Sequence, residues 1–201
     1  MKIQYILFLF LSFCLSLETI RHSPISTTPA TSEKILILYL SRTQNTKTVA
    51  QLIQEELGGD LVALELETPY PENYQAIVSQ VAKENETGFL PPLKTKVNLE
   101  QYETIFLGFP TWVMKLPPPM KSFLKSNDLD GKTVLPFNTN AGYGVGSSFA
   151  QIRQLCENCN VKEGYTTKGG IERDGILLAI KDERKHLVQN EVRDWLKQNG
   201  F

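Results

Sequence analysis

Ser41-Arg42-Thr43-Gln44-Asn45-Thr46 gathers hydroxyl and amide side chains between two patterns of different period. Before it, Ile35-Leu36-Ile37-Leu38-Tyr39-Leu40 is fully apolar, as expected of a strand covered on both faces. After it, Val49, Leu52, Ile53 and Leu57 recur on one helical face. A buried strand that opens into hydroxyls at a helix start suits an oxyanion such as phosphate. Ser41, Thr43 and Thr46 offer O–H groups and Asn45 an amide, while the first-turn N–H groups and the helix dipole add to them. An ordinary Asn/Thr helix cap has the same composition, so this loop alone leaves both readings open. Each bond to a charged phosphate contributes about 1.5–3 kcal/mol. About five of them give roughly 7–15 kcal/mol, against the ~4–15 kcal/mol that association costs. Phosphate by itself would bind weakly, so a larger ligand must be gripped elsewhere.

Two further loops follow apolar strands. Gly108-Phe109-Pro110-Thr111-Trp112-Val113 ends one of them, and Lys115-Leu116-Pro117-Pro118-Pro119 then restricts the backbone. A Trp at a strand end usually belongs to the core, but in this setting it also suits a rigid platform for a flat ring. Asn138-Thr139-Asn140-Ala141-Gly142-Tyr143-Gly144-Val145-Gly146 ends the next strand. Its glycines permit close approach of backbone to a ligand, and Tyr143 offers a second aromatic surface. The G-x-G-x-G spacing and late position separate it from a dinucleotide fingerprint. Gly131-Lys132-Thr133 imitates the end of a phosphate-binding P-loop, but Ser126 stands where its first Gly belongs, and the segment enters a strand.

From Lys34 onward strand and helix patterns alternate. Strands are expected at 35–40, 61–66, 104–109, 133–137 and 161–165, and helices at 46–57, 73–84, 118–125, 147–156 and 183–198. Such alternation predicts a three-layer α/β domain with a parallel sheet, whose ligands bind beyond the carboxyl ends of the strands. The chain has 201 residues, 41% of them hydrophobic, which suits one domain plus an extension. Its net charge of −1, from 21 basic and 22 acidic residues, carries no nucleic-acid footprint.

Residues 1–20 have the charged start and apolar middle of an export signal, too short to span a membrane. Leu11-Ser12-Phe13-Cys14 hints at a lipoprotein box that would acylate Cys14, giving a membrane tether. Residues 21–33 form a Ser/Thr/Pro-rich linker and 34–201 the domain. Periplasmic, secreted or lipid-anchored localisation is the corresponding expectation. Cys156-Glu157-Asn158-Cys159 ends a helical pattern, where the dipole opposes a thiolate. A structural pair or local disulfide and a redox pair both remain open. Asn85-Glu86-Thr87 is a glycosylation sequon, meaningful in a eukaryotic secretory pathway. Cys14, Cys156, Cys159, His22 and His186 are too scattered for a structural zinc site.

The three loops in this order resemble the flavodoxin family over nearly the whole domain: S-R-T-Q-N-T at 41–46, G-F-P-T-W at 108–112 and T-N-A-G-Y-G at 139–144. The resemblance implies a five-stranded doubly wound sheet of order 2-1-3-4-5 that binds FMN non-covalently. Ser41, Thr43, Gln44, Asn45 and Thr46 would surround the FMN phosphate. Pro110, Thr111, Trp112 and Val113 would flank one side of the flavin. Thr139, Asn140, Ala141, Gly142, Tyr143 and Gly144 would meet the other side or the pyrimidine edge. No side chain stands out as a catalytic acid or base. The implied function is electron transfer to a redox partner protein or small acceptor. An FMN-dependent reductase of quinones using NAD(P)H and a module of this fold without cofactor are the alternatives.

Two departures stand out. Gln44 occupies a position where flavodoxins usually carry Gly, and a requirement for positive φ there would cost roughly 1–2 kcal/mol. The chain is near neutral, whereas typical flavodoxin carriers are strongly acidic and are steered to basic partners.

Overall fold

The computed structural model describes residues 34–201; the export signal expected at 1–20, with Cys14, and the linker expected at 21–33 lie outside the described residues. β1 (Ile35–Tyr39) is flanked by β2 (Asp60–Ala63) and β3 (Thr104–Pro110). β4 (Thr133–Asn140) follows β3, and the far edge is shared by β5 (Asn160–Val161) and β6 (Tyr165–Lys168). Every pairing is parallel and the order is β2-β1-β3-β4-β5, with β6 also on β4.

The alternation of side chains along each strand decides which helices cover which face. Leu36, Leu38, Ile105, Leu107 and Phe109 pack under Met120 and Phe123 of α3 (Pro118–Ser126) and Ile152 of α4 (Ser148–Leu155). Ile35, Ile37, Phe106, Leu135 and Phe137 face the other way, against α1 (Asn45–Leu57) and α5 (Asp182–Gln198). Val49, Leu52 and Ile53 of α1 and Val188, Val192 and Trp195 of α5 supply that cover. α2 (Tyr74–Thr87) starts where the Asn73 side chain accepts a hydrogen bond from Ala76 N at 3.0 Å. Its Ile77 and Val81 are buried.

Three strand expectations need correction. The fourth strand, expected to end at 137, runs on to Asn140, and Asn138 and Thr139 still pair with β3. The second strand ends at Ala63, not at 66, because Leu66 turns away to bridge Leu93 in antiparallel fashion. The single strand expected at 161–165 is broken in two. Its register on β4 shifts by one residue between the pairs Val134↔Val161 and Phe137↔Tyr165, as a bulge requires. Pro136 lies opposite the break. Val134 O accepts from Lys162 N at 2.9 Å, so β4 turns its even-numbered backbone groups toward this edge. Pro136, two residues on, has no N–H to offer there, and the edge strand bows out at that point.

Cys156 and Cys159 are joined as a disulfide with Cα atoms 5.3 Å apart. They sit between α4 and β5, near the start of β4 and away from the strand ends where a ligand would bind. Asn85 lies within α2, and its side chain bonds Val81 O at 2.9 Å and Lys121 Nζ at 2.7 Å. A sequon engaged in this way inside a helix is a poor glycan acceptor.

α5 is tied to β6 by Glu191, which accepts from Tyr165 OH at 2.6 Å, Thr167 Oγ1 at 3.2 Å and Arg184 NH1 at 3.0 Å. Burial pushes the Glu191 carboxyl up, but the Tyr165 and Arg184 hydrogen bonds outweigh it and hold it below its ordinary value. A depressed folded-state pKa stabilises above the ordinary carboxylate range and is lost as pH falls through the folded value. Glu191→Gln is therefore expected to lower the urea midpoint at neutral pH, with a gap to wild type that narrows in acid. A gap that stays constant with pH contradicts this role.

Candidate functional site

The carboxyl ends of β1, β3 and β4 open into one cleft of about 900 Å³, its mouth included. Thr43, Asn45 and Thr46 form one end of it. Gln44 takes φ 67° and ψ −8°, the left-handed conformation that swings the chain into α1. Thr46 Oγ1 lies 2.8 Å from Thr139 Oγ1, and both residues are buried. This hydroxyl pair joins the first and third loops at the base of the cleft. Ser41 stands back from the cleft; its Oγ accepts from Lys47 N at 3.3 Å and so satisfies one of the free helix-start N–H groups. The Asn45 amide is committed to the protein. Its Oδ1 accepts from Ala179 N at 2.9 Å and Ile180 N at 3.1 Å, and its Nδ2 donates to Leu177 O at 2.6 Å. What Asn45 offers a ligand is the N–H of a helix's first turn, which has no intrahelical acceptor.

The opposite wall is built by the second and third loops. Pro110, Thr111, Trp112 and Val113 line it, with Asn140, Ala141 and Tyr143 beside them. Gly142 and Gly144 lie behind that wall, where both N–H groups donate to Asn140 Oδ1, at 2.8 and 3.1 Å. Thr111 Oγ1 accepts from buried Asn138 Nδ2 at 3.0 Å and donates to Gly144 O at 2.9 Å, which locks the two loops together. Trp112 and Lys115 close a tight turn, with Lys115 N donating to Trp112 O at 2.9 Å. Its central residues Val113 and Met114 take φ 49° and 56°, and for β-branched Val that is a strained conformation. The turn is pinned from outside: Ser147 N donates to Met114 O at 3.0 Å. Gly146 permits this approach, since a Cβ there would lie 2.1 Å from Met114 O.

Several wall residues carry no signal in the sequence pattern. Gly169, Gly170, Ile171, Glu172 and Arg173 line the cleft from the segment after β6. A Cβ at Gly170 would lie 2.0 Å from Leu177 O, so only Gly lets this segment fold back on itself. Arg42, silent within its motif, donates from Nε to Glu172 Oε1 at 2.7 Å, from NH1 to Pro71 O at 2.9 Å and from NH2 to Glu72 O. It thereby ties the first loop to two others. Tyr70 sets its ring edge-on to Trp112, with centroids 5.3 Å apart. Its hydroxyl donates to the buried Glu84 carboxylate at 2.5 Å, and burial followed by that carboxylate pushes the phenol well above its ordinary range. Trp112 is thus braced by a ring that its own hydrogen bond holds in place. Among the described residues, no group of His, Cys, Asp and Glu is arranged to hold a metal ion.

These features fit a ligand with an anionic end and a flat aromatic end. Gln44 retains the left-handed geometry at a cost of about 1–2 kcal/mol, partly offset in a Gly variant by about 0.5–1 kcal/mol of unfolded-state freedom. Gln44→Gly is expected to stabilise the domain by about 0.5–1 kcal/mol in urea denaturation. A loss of stability would show that the Gln44 conformation carries no strain.

The family model described as flavodoxin matches residues 34–182. A flavodoxin of Synechocystis sp. is 28% identical over 184 residues, covering 82% of this chain and 95% of its own length. A candidate flavoprotein of Bacteroides eggerthii, solved by crystallography, superposes with a TM-score of 0.66 at 27% identity, over 82% of this chain and 96% of its own. A Lactobacillus acidophilus flavoprotein solved in complex with FMN has a TM-score of 0.61 at 22% identity, over 72% of this chain and 98% of its own, a likeness of fold. With the strand order, the loop cleft and a family match that spans most of the described residues, the chain belongs to the flavodoxin family.

Proposed function

We propose that this domain is an electron carrier that holds FMN non-covalently in the loop cleft and exchanges electrons with a redox partner protein or small acceptor. FMN is the cofactor that flavodoxin family membership implies, and the similarly folded L. acidophilus protein holds it. The observation that carries the reading is the convergence of unlike chemistries in one cleft. Hydroxyls and helix-start N–H groups stand at one end, and Trp112 and Tyr143 at the other.

The Thr43, Thr46 and Thr139 hydroxyls and the first-turn N–H groups of α1 would hold the phosphate. Bonds from neutral donors to a charged group contribute about 1.5–3 kcal/mol each, and the dipole of α1 favours the same charge. Arg42 keeps this end joined to the loop before α2 and to Glu172, so the donors keep their spacing. Trp112, braced by Tyr70, would face the ring, and Tyr143 at the rim would border it. Once bound, the flavin supplies the electron-transfer chemistry itself, and the protein supplies orientation and electrostatics. The Asn138, Thr111 and Asn140 network fixes the second and third loops as one unit, which limits movement of the wall around the ring.

Purified protein mixed with FMN is expected to turn yellow and to quench flavin fluorescence in a saturable titration. Stacking on an aromatic side chain contributes about 1–3 kcal/mol by truncation, so Trp112→Ala should weaken FMN binding roughly ten- to hundredfold. Thr46→Val should weaken it comparably by removing one hydroxyl from the base of the cleft. A calorimetric titration with excess FMN that shows no heat, together with a colourless protein, would overturn the reading.

A further inference from the structure

The strained turn after Trp112 pushes two apolar side chains outward at the mouth of the cleft. Val113 is 47% exposed and Met114 45%. Tyr143, on the same wall of the cleft, is 67% exposed. An apolar rim held on a rigid backbone suits the centre of a contact with another protein better than it suits water.

Beside this rim, Lys115, Lys121 and Lys125 run along the start and length of α3. None of them is in an ion pair among the described residues. Lys121 Nζ meets only the neutral amide of Asn85, at 2.7 Å. Burial, then the Lys115 and Lys125 charges, pushes its ammonium pKa down, so these lysines feel one another rather than an acid. Lys121 and Lys125 also line a second cavity with Phe89, which is 53% exposed, and Leu90. Glu84 lines that cavity too, but its carboxylate is buried and bound to Tyr70 and Gln80. A cationic ridge therefore starts at Lys115, next to the turn at the cleft mouth, and runs along α3 past Lys121 to Lys125, toward the start of β4. On a chain whose net charge is −1, that is a local separation of charge.

We propose that residues 113–115 and the Lys121 and Lys125 ridge of α3 form the docking face for an electron-transfer protein whose own contact surface is acidic around an apolar centre. Uncompensated lysines raise the local concentration of an anionic surface and orient it, and the Val113 and Met114 tip then supplies the dry contact. The 113–115 end of the face lies at the cleft mouth, so a partner held along α3 would reach the ring end with its apolar centre. This polarity is opposite to that of a strongly acidic carrier. The inference rests on the electron-transfer reading above.

The test uses FMN-loaded protein reduced anaerobically with dithionite and mixed with an acidic b-type cytochrome or a basic c-type cytochrome. One electron leaves the reduced cofactor for each ferric haem that becomes ferrous. With the acidic cytochrome, the second-order rate should fall about tenfold as ionic strength rises from about 0.01 to 0.3 M. The double variant Lys115→Glu, Lys125→Glu should lose at least about tenfold at low salt and most of the salt dependence. Lys197→Glu, on α5 against the opposite face of the sheet, should leave the rate unchanged. A carbodiimide cross-link between the acidic cytochrome and Lys115, Lys121 or Lys125 is the readout that needs no electron transfer, and it should form with or without FMN. A rate that stays flat or rises with salt, or cross-links confined to other lysines, would overturn the docking face. A chain that takes up no FMN yet cross-links at these lysines would overturn the functional reading and leave the docking face standing.

Discussion

Asn138 has no exposure to solvent, and its side-chain amide must find all its partners inside the protein. Nδ2 donates to Phe109 O and to Thr111 Oγ1, both at 3.0 Å, and Oδ1 accepts from Thr166 Oγ1 at 3.2 Å. Leaving such a group unsatisfied costs about 1–3 kcal/mol, so the ends of β3 and β4, the second loop and β6 are drawn to one point. Asn140 extends the arrangement by accepting from the N–H groups of Gly142 and Gly144. At the centre of the cleft walls, Asn138 therefore makes hydrogen bonds for which no water can substitute. The apolar core holds the sheet, but this small polar centre holds the loops on the sheet.

Around that centre the chain accepts local strain. Gln44, Val113 and Met114 occupy left-handed backbone conformations that L-residues with side chains seldom take. In each case a neighbouring bond fixes the geometry: Thr48 bonds Gln44 O from both its N–H and its hydroxyl, and Ser147 N holds Met114 O. The first distortion sets the start of α1 against the cleft, and the second turns Val113 and Met114 outward at its mouth. Arg42 and Asn45 perform a similar task on the other side, binding the segments after β2 and β6 to the first loop. Those two residues lie in the motif that suggests ligand binding, yet much of their side-chain bonding is to the protein itself.

Much of the fold was legible because burial leaves a periodic trace. Unbroken apolar runs at β1 and β3 and the 3.6-residue stripe of α1 mark strands and helices to within one or two residues at most ends. The edge strand was not legible, because its break comes from Pro136 on the neighbouring strand rather than from its own residues. The end of β2 was missed for a comparable reason: Leu66 continues the apolar pattern but serves a bridge to Leu93. Within the cleft, the hydroxyls, Trp112 and Tyr143 were visible from residue type and position after a strand. Residues 169–173 were not, since they follow a short edge strand of alternating burial and have neither periodicity nor an evident donor set.

By itself, the sequence determined the alternation of strands and helices, the three loops that share the carboxyl edge, and the family these motifs resemble. Those properties depend on local pattern and on which face each residue buries. Tertiary structure alone decided what each polar side chain in those loops does. Thr46 meets Thr139 across the 93 residues that separate them in the chain, Asn45 meets Ile180 across 135, and Arg42 meets Glu172 across 130. A hydroxyl or amide has the same chemistry wherever it stands, but its partner is set by packing. Only the folded sheet brings those distant segments within hydrogen-bond reach and leaves Lys115, Lys121 and Lys125 along α3 without an ion pair among the described residues.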